Sequence, residues 1–269
     1  MTERVLSVRC ARRAPRLLSL LILLVAAGGC GNKQLGPPAG TAQPDRFLFD
    51  RGNETLKEEQ WLNARTYFQQ IVDNYPQSPL RPDAKLGMGD SYLGESSAES
   101  AVLAANEFRE FLQFYPTNMR ADYAQYKLAM SHFGQMRAPE RDQTETRESL
   151  REFDVFFLKY PSSPLTAEVK QNWRIARDRL SEASFRVGLT YYRQRWYPGA
   201  ISRFREVLAQ DPGYTGKDAL YFYLADSLSK TDKNGVAEAI PYFERLIAEF
   251  DQSAHIEDAK KRLQELKNQ

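Results

Sequence analysis

The chain has 269 residues, of which 42% are hydrophobic and 12% aromatic, with a formal net charge of +2. That apolar content is enough to bury a substantial core and excludes a disordered tail. The charge is unevenly placed: residues 1–29 hold five arginines and one glutamate, net +4, so the remainder carries 2 − 4 = −2, which argues against nucleic acid as a partner.

Arg4, Arg9, Arg12, Arg13 and Arg16 precede an uncharged run from Leu17 to Ala27, which ends in Ala27-Gly28-Gly29-Cys30. A charged segment, an apolar segment and a small-residue cleavage site in that order read as an export signal over residues 1–29. Roughly 11 apolar residues rise only about 16 Å as a helix, too little to cross a hydrocarbon core of about 30 Å. Cys30 directly after the small residues looks like a lipoprotein box, in which the thiol receives a diacylglycerol and the new N-terminus is acylated. The other cysteine, Cys10, lies in the signal, so no disulfide is expected in the mature chain despite its oxidising destination. Residues 30–45 are rich in Gly, Pro, Asn and Gln and read as a flexible tether.

From residue 46 onward, through 269, the chain repeats itself. Segments ending at Pro76, Pro116, Pro161, Pro212 and Asp251 overlay without gaps, and each has a phenylalanine eight residues earlier: Phe68, Phe108, Phe153, Phe204 and Phe243. Four residues before those stand Ala64, Ala104, Ser149, Ala200 and Ala239. This spacing makes one apolar stripe on a helix, and the residue before a proline is pushed out of the helical region, which ends it. Further upstream come Gly52, Gly89, Ala129, Gly188 and Ala225, small residues that let two helices approach closely. Each unit is therefore a helix pair, matching the tetratricopeptide pattern. The expected fold is all-α, a solenoid of about five such pairs with N-terminal repeats over 46–161 and C-terminal repeats over 162–269. Gln135 to Thr146 reads as an insertion, Thr166 to Arg186 as an unbroken amphipathic helix, and Ile256 to Lys267 as a capping helix.

Because no unit buries its stripe alone, the units must stack, with their first helices on the concave face. That face would display Phe49, Asn53, Leu56, Leu86, Asp90, Leu93, Tyr126, Met130 and Phe133, a mixture suited to an extended peptide or a helix. Packing between neighbouring repeats is the other reading of these residues.

Chemistry is sparse. His132 and His255 lie far apart with no cysteine partner, fewer ligands than a metal or nucleophilic site needs, so neither metal nor cofactor is expected. Gly87-Met88-Gly89 has no following lysine and is not a phosphate loop. Glu95-Ser96, Glu99-Ser100 and Glu148-Ser149 share the Glu-Ser pair of lytic transglycosylases, but none is followed by the Gly-Leu-Met-Gln stretch of those enzymes. A raised-pKa acid also needs a desolvated pocket that a turn does not supply. No enzyme is expected.

Three local patterns occur in order. Tyr115-Pro116-Thr117-Asn118 leads into Asp122-Tyr123-Ala124-Gln125-Tyr126, and Arg141-Asp142-Gln143-Thr144 leads into Thr146-Arg147-Glu148. Tyr160-Pro161-Ser162-Ser163 then leads into a helix containing Arg177-Asp178-Arg179-Leu180. Together with Cys30 and the repeats, this set resembles the BamD family across the whole mature chain. The resemblance implies a lipid-anchored periplasmic scaffold of the outer-membrane β-barrel assembly machine. Its partners would be a BamA-like barrel subunit and unfolded outer-membrane proteins. It further implies a substrate pocket in the N-terminal repeats and a partner-facing C-terminal half, with Arg203 as the contact to an acidic residue of the barrel subunit. Gly31 after the cysteine, in place of Asp, fits sorting to the outer membrane. The competing reading is a periplasmic repeat protein that coordinates envelope constriction or peptidoglycan processing. Relatives of that kind are usually soluble with an N-terminal coiled coil, neither of which this sequence shows.

Overall fold

The computed structural model describes residues 36–268; the expected signal and the expected lipidation site, Cys30, lie outside them. The described residues form eleven helices and no strand: α1 (Pro44–Lys57), α2 (Trp61–Asn74), α3 (Arg81–Gly94), α4 (Ala98–Phe114), α5 (Ala121–Phe133), α6 (Thr144–Lys159), α7 (Thr166–Arg193), α8 (Tyr197–Gln210), α9 (Lys217–Ser229), α10 (Lys233–Glu249) and α11 (Ile256–Lys267). Consecutive odd and even helices pack as pairs, giving five pairs, and α11 packs on α9 and α10 as the cap.

The repeated phenylalanines are what close each pair. Phe68, Phe108, Phe153, Phe204 and Phe243 are fully buried, and so are the small residues one turn before them. Each ring fills the space that a small residue leaves on the facing helix. A Cβ added at Gly52 would meet the Phe68 ring at 2.6 Å, one at Gly89 would meet Phe108 at 2.7 Å, and one at Gly188 would meet Phe204 at 2.4 Å. Gly87 closes on the other edge of Phe68, at 2.5 Å. Phe68 is thus gripped between Gly52 of α1 and Gly87 of α3, which explains the glycine that precedes the repeat position in Gly87-Met88-Gly89.

The five turns between repeats are uniform: residues 75–80, 115–120, 160–165, 211–216 and 250–255. Tyr75, Tyr115, Tyr160 and Asp211 each leave the helical region ahead of a proline. Phe250 does the same without one, its ring packed 6.1 Å from Tyr221. The unequal repeat spacing arises elsewhere. One source is the segment between α5 and α6, residues 134–143. This insertion ends sooner than expected because Asp142 accepts from the backbone and hydroxyl of Thr144 at 3.3 and 3.0 Å, starting α6 there.

The other source is α7, which does not stop at Arg186 but runs on through Gly188 to Arg193. At 28 residues it is about 42 Å long. Its first half supplies Val169 and Ala176 to the core around Phe153, and its second half supplies Phe185 to the core around Phe204. One helix therefore closes the third repeat and opens the fourth. Among the described residues no other helix connects α1–α6 with α8–α11.

The odd helices also touch one another in order, α1 on α3, α3 on α5, α5 on α7, α7 on α9 and α9 on α11, whereas no two even helices touch. A layer whose neighbours meet directly is the compressed, inner layer of a stacked array. The first helices of the repeats line it, as the repeat pattern requires.

Candidate protein-binding surface

The candidate groove residues lie on three neighbouring inner helices: Phe49, Asn53 and Leu56 on α1, Leu86, Asp90 and Leu93 on α3, and Tyr126, Met130 and Phe133 on α5. Their surroundings differ. Leu86 and Tyr126 are buried, while Phe49 is half-buried 5.9 Å from Phe68, and Phe133 lies 6.2 Å from Phe153. Asn53 turns back on its own helix, donating to the Phe49 carbonyl at 3.0 Å. Asp90 accepts from the Tyr123 hydroxyl at 2.8 Å and pairs with Lys127 at 3.2 Å, tying α3 to α5. Burial, with Asp90 alongside, pushes the Tyr123 phenol well above its ordinary range, so it stays a donor at any physiological pH. Tyr126 donates to Glu168 at 2.6 Å and accepts from Asn172 at 3.0 Å, both on α7. Burial and Glu168 likewise raise its pKa.

Clamps that sequence reading missed hold the inner layer in register. Ser78 donates to Asp45 at 2.7 Å, Ser163 to Asp122 at 2.6 Å and Ser253 to Asp218 at 2.7 Å. At the remaining regular position Arg120 pairs with Asp83 at 3.1 Å. Each joins the start of a first helix to the turn that follows its partner helix. The available signal was an aspartate at the head of α1, α3, α5 and α9, with a serine or asparagine two residues after Pro76, Pro116, Pro161 and Asp251. In the fourth repeat the chemistry is exchanged: Ser181 stands on the helix, seven residues before Gly188 as Asp45 precedes Gly52, and Asp211 on the turn accepts its hydroxyl at 2.6 Å.

A cleft of about 460 Å³ separates the 134–143 segment from α7, with Leu180, Ala183 and Val187 on its floor and Arg141 and Arg147 at its rim. The segment is pinned to α7 by Arg179, which donates to the Arg137 carbonyl at 2.7 Å, and by the Arg186–Glu140 pair. This is the Arg-Asp loop read from the sequence.

Arg203 lies on α8, largely exposed, 2.8 Å from Glu206 one turn on. His132 meets Glu145 at 2.8 Å, and His255 stacks on Phe222 at 4.7 Å; they belong to different repeats. Of the Glu-Ser pairs, Glu95-Ser96 is exposed in the turn after α3, Glu99 is exposed in the first turn of α4, and Ser149 is buried. No group of three or more metal-binding side chains occurs among the described residues, and no described helix is long and apolar enough to cross a membrane.

Paired helices with a shared inner layer and a regular turn define a helical repeat protein of the tetratricopeptide kind. Residues 41–227 match the model of the YfiO family, described as outer membrane lipoproteins. The chain belongs to that family. It is 27% identical over 195 residues to an outer membrane protein assembly factor BamD of Caulobacter vibrioides, spanning 71% of this chain and 63% of the relative. It is 25% identical over 206 residues to the BamD of Rickettsia prowazekii, spanning 76% and 80%. The Vibrio cholerae BamD is 21% identical over 86% of this chain and 96% of its own length. Among solved structures, the complex of the TPR2AB domain of yeast Sti1 with pHSP90 is similar over 82% of both chains, at 13% identity and a TM-score of 0.47.

Proposed function

We propose that the chain is an outer-membrane protein assembly factor, anchored by lipid on Cys30 in the outer membrane and facing the periplasm. The observation that carries this reading is the family match over residues 41–227, and the relatives named as assembly factors support it. Residues 1–29 serve as the signal and the chain from Cys30 to the start of α1 at Pro44 as the tether, two residues shorter than the 30–45 read from composition because Pro44 and Asp45 are helical. The scaffold holds a BamA-like barrel subunit and receives unfolded outer-membrane proteins without doing chemistry on them. Support for a binding rather than a reactive surface comes from the inner layer itself, where Asp90, Tyr123 and Tyr126 satisfy one another or neighbouring side chains.

The inner face of α1, α3 and α5, with Phe49, Asn53, Leu56, Leu86, Asp90, Leu93, Tyr126, Met130 and Phe133, is the proposed peptide-binding region. Of these, the half-buried Phe49, Asn53, Leu56, Leu93, Met130 and Phe133 retain accessible surface, and Leu86 and Tyr126 set the spacing beneath. Arg203 is the proposed contact to an acidic group of the barrel subunit. Its only carboxylate partner among the described residues is Glu206 within the same helix, a weak exposed pair that a stronger partner can displace. Detergent-solubilised protein should co-purify with a large outer-membrane β-barrel protein, and Arg203→Glu should reduce its recovery. Isolation free of any such partner would refute the assignment, and recovery unchanged by the substitution would remove Arg203 from the interface.

A further inference from the structure

The Asp–Ser clamps fix more than register. Each joins the start of a first helix to the turn after its partner, so the N-terminus of α1 and the 75–80, 115–120, 160–165 and 250–255 turns all lie along one edge of the stack. The chain leading from Cys30 therefore enters the fold on that edge, at Pro44 beside Asp45. The same edge carries the two most exposed large apolar side chains of the described residues, Met119 at 92% and Leu158 at 81%, with Phe114 also exposed. Met119 shares an open cavity of about 450 Å³ with Lys159 and the 160–164 turn. Lys159 is exposed and has no carboxylate partner among the described residues, while Arg120 and Asp122 are tied into clamps.

Exposed apolar groups beside an uncompensated cation, on the edge where a lipid-anchored chain enters, fit one surroundings better than water: an anionic lipid interface. Apolar tips enter the headgroup boundary while lysine reaches its phosphates. Thirteen residues, 31–43, separate Cys30 from Pro44, a reach of about 45–50 Å at full extension. The opposite edge lies a further helix length away, about 21 Å for a 14-residue helix, so contact through the turn edge needs the least extension. We propose that the turn edge of the second and third repeats rests on the membrane, with Met119, Leu158 and Phe114 in the interface and Lys159 against the headgroups. This rests on the anchoring reading of Cys30.

The mature lipoprotein lends itself to single-site labelling, since Cys10 is removed with the signal and Cys30 is acylated. Met119→Cys and, on the opposite edge, Leu62→Cys are labelled with an environment-sensitive fluorophore on the full lipidated chain. Both are read on vesicles of phosphatidylethanolamine and phosphatidylglycerol that contain shallow spin-labelled lipid. With the edge inserted by roughly 5–10 Å, quenching at position 119 exceeds that at 62 about two-fold or more. The excess disappears in a chain also carrying Leu158→Asp and Phe114→Asp. Equal quenching at the two positions overturns the proposal. Flotation with the vesicles reports the anchor separately. The same comparison on a Cys30-less chain, held to nickel-chelating vesicles by a histidine tag before Gly31, reads the edge whether or not Cys30 is lipidated.

Discussion

Asp211, only 4% exposed, receives both terminal nitrogens of Arg174, one at 2.9 Å, and the hydroxyl of Ser181. It stands where the first three repeats have Tyr75, Tyr115 and Tyr160. At those positions an aromatic ring packs on its own helix, as Tyr115 does on Phe111 at 5.3 Å. In the fourth repeat a forked ion pair between α7 and the turn after α8 takes over the task. A buried carboxylate left alone is far costlier than one never present. Arg174→Met should therefore destabilise the fold by about 2–3 kcal/mol, less than for a fully buried pair because Arg174 is partly exposed. Arg174→Met combined with Asp211→Tyr, which restores the aromatic, should recover at least half of that loss in urea unfolding. A double variant less stable than the single one would show that the turn cannot accept the ring.

The same pair sets a pH response. Burial raises the Asp211 carboxyl, but hydrogen bonds from Arg174 and Ser181 and the Arg174 charge outweigh it, so its folded pKa lies below the ordinary carboxylate value. The folded state thus holds fewer protons than the unfolded one. The stability this contributes is present above about pH 4 and is lost as the pH falls through the folded value. Urea midpoints should fall more steeply between pH 5 and 3 in the parent than in the Arg174→Met, Asp211→Tyr variant. Parallel slopes would mean that other carboxylates dominate, among them Asp45, which Ser78 also lowers but which lies near the surface.

Close approach at the glycines makes a sharper test of packing. A methyl at Gly188 would fall 2.4 Å from the Phe204 ring, and that ring is fully buried. Gly188→Ala should cost about 1–3 kcal/mol by overpacking. Gly134→Ala, whose nearest neighbour is the Met130 carbonyl at 3.6 Å, should be neutral or raise stability by up to about 1 kcal/mol through the unfolded chain. Thermal melts of the two variants would separate them, and similar melts would mean that Phe204 can move aside.

These positions also show what was readable beforehand. Phe68 through Phe243, the small residues before them, the five stops and the α11 cap follow from helical periodicity and proline chemistry, both local in sequence, and the structure has them all. Nothing between Arg186 and Gly188 breaks a helix, but that a single helix serves two separate cores shows only in its contacts. The Asp–Ser clamps left a signal in residue type alone, and their pairing was hidden because the partners lie 33 to 41 residues apart. The candidate groove was legible as a face but not side chain by side chain. Leu86 faces the second core and Tyr126 turns to Glu168, choices made by neighbouring repeats rather than by the repeat that contains them.

The bridge made by α7 should be visible in how the molecule unfolds. The core around Phe153 and the core around Phe204 meet through this helix alone among the described residues. In a linear array, cooperativity passes only through such interfaces. Ser184→Pro, in the middle of α7, removes a backbone hydrogen bond, clashes with the carbonyl of residue 180 and costs about 3 kcal/mol or more. The damage falls on the junction, because Phe185 and Gly188 lie beyond it and Val169 and Ala176 before it. The parent should unfold in urea as one transition, and the variant as two. Trp173, held by Asp154 at 2.9 Å, reports the N-terminal part, and Trp196, 4.6 Å from Tyr191, reports the C-terminal part. With the other tryptophans replaced, the two signals should coincide in the parent and separate in Ser184→Pro. If they stay together, coupling does not depend on an unbroken α7, and the loop contacts of Arg179 and Arg186 become the next place to cut.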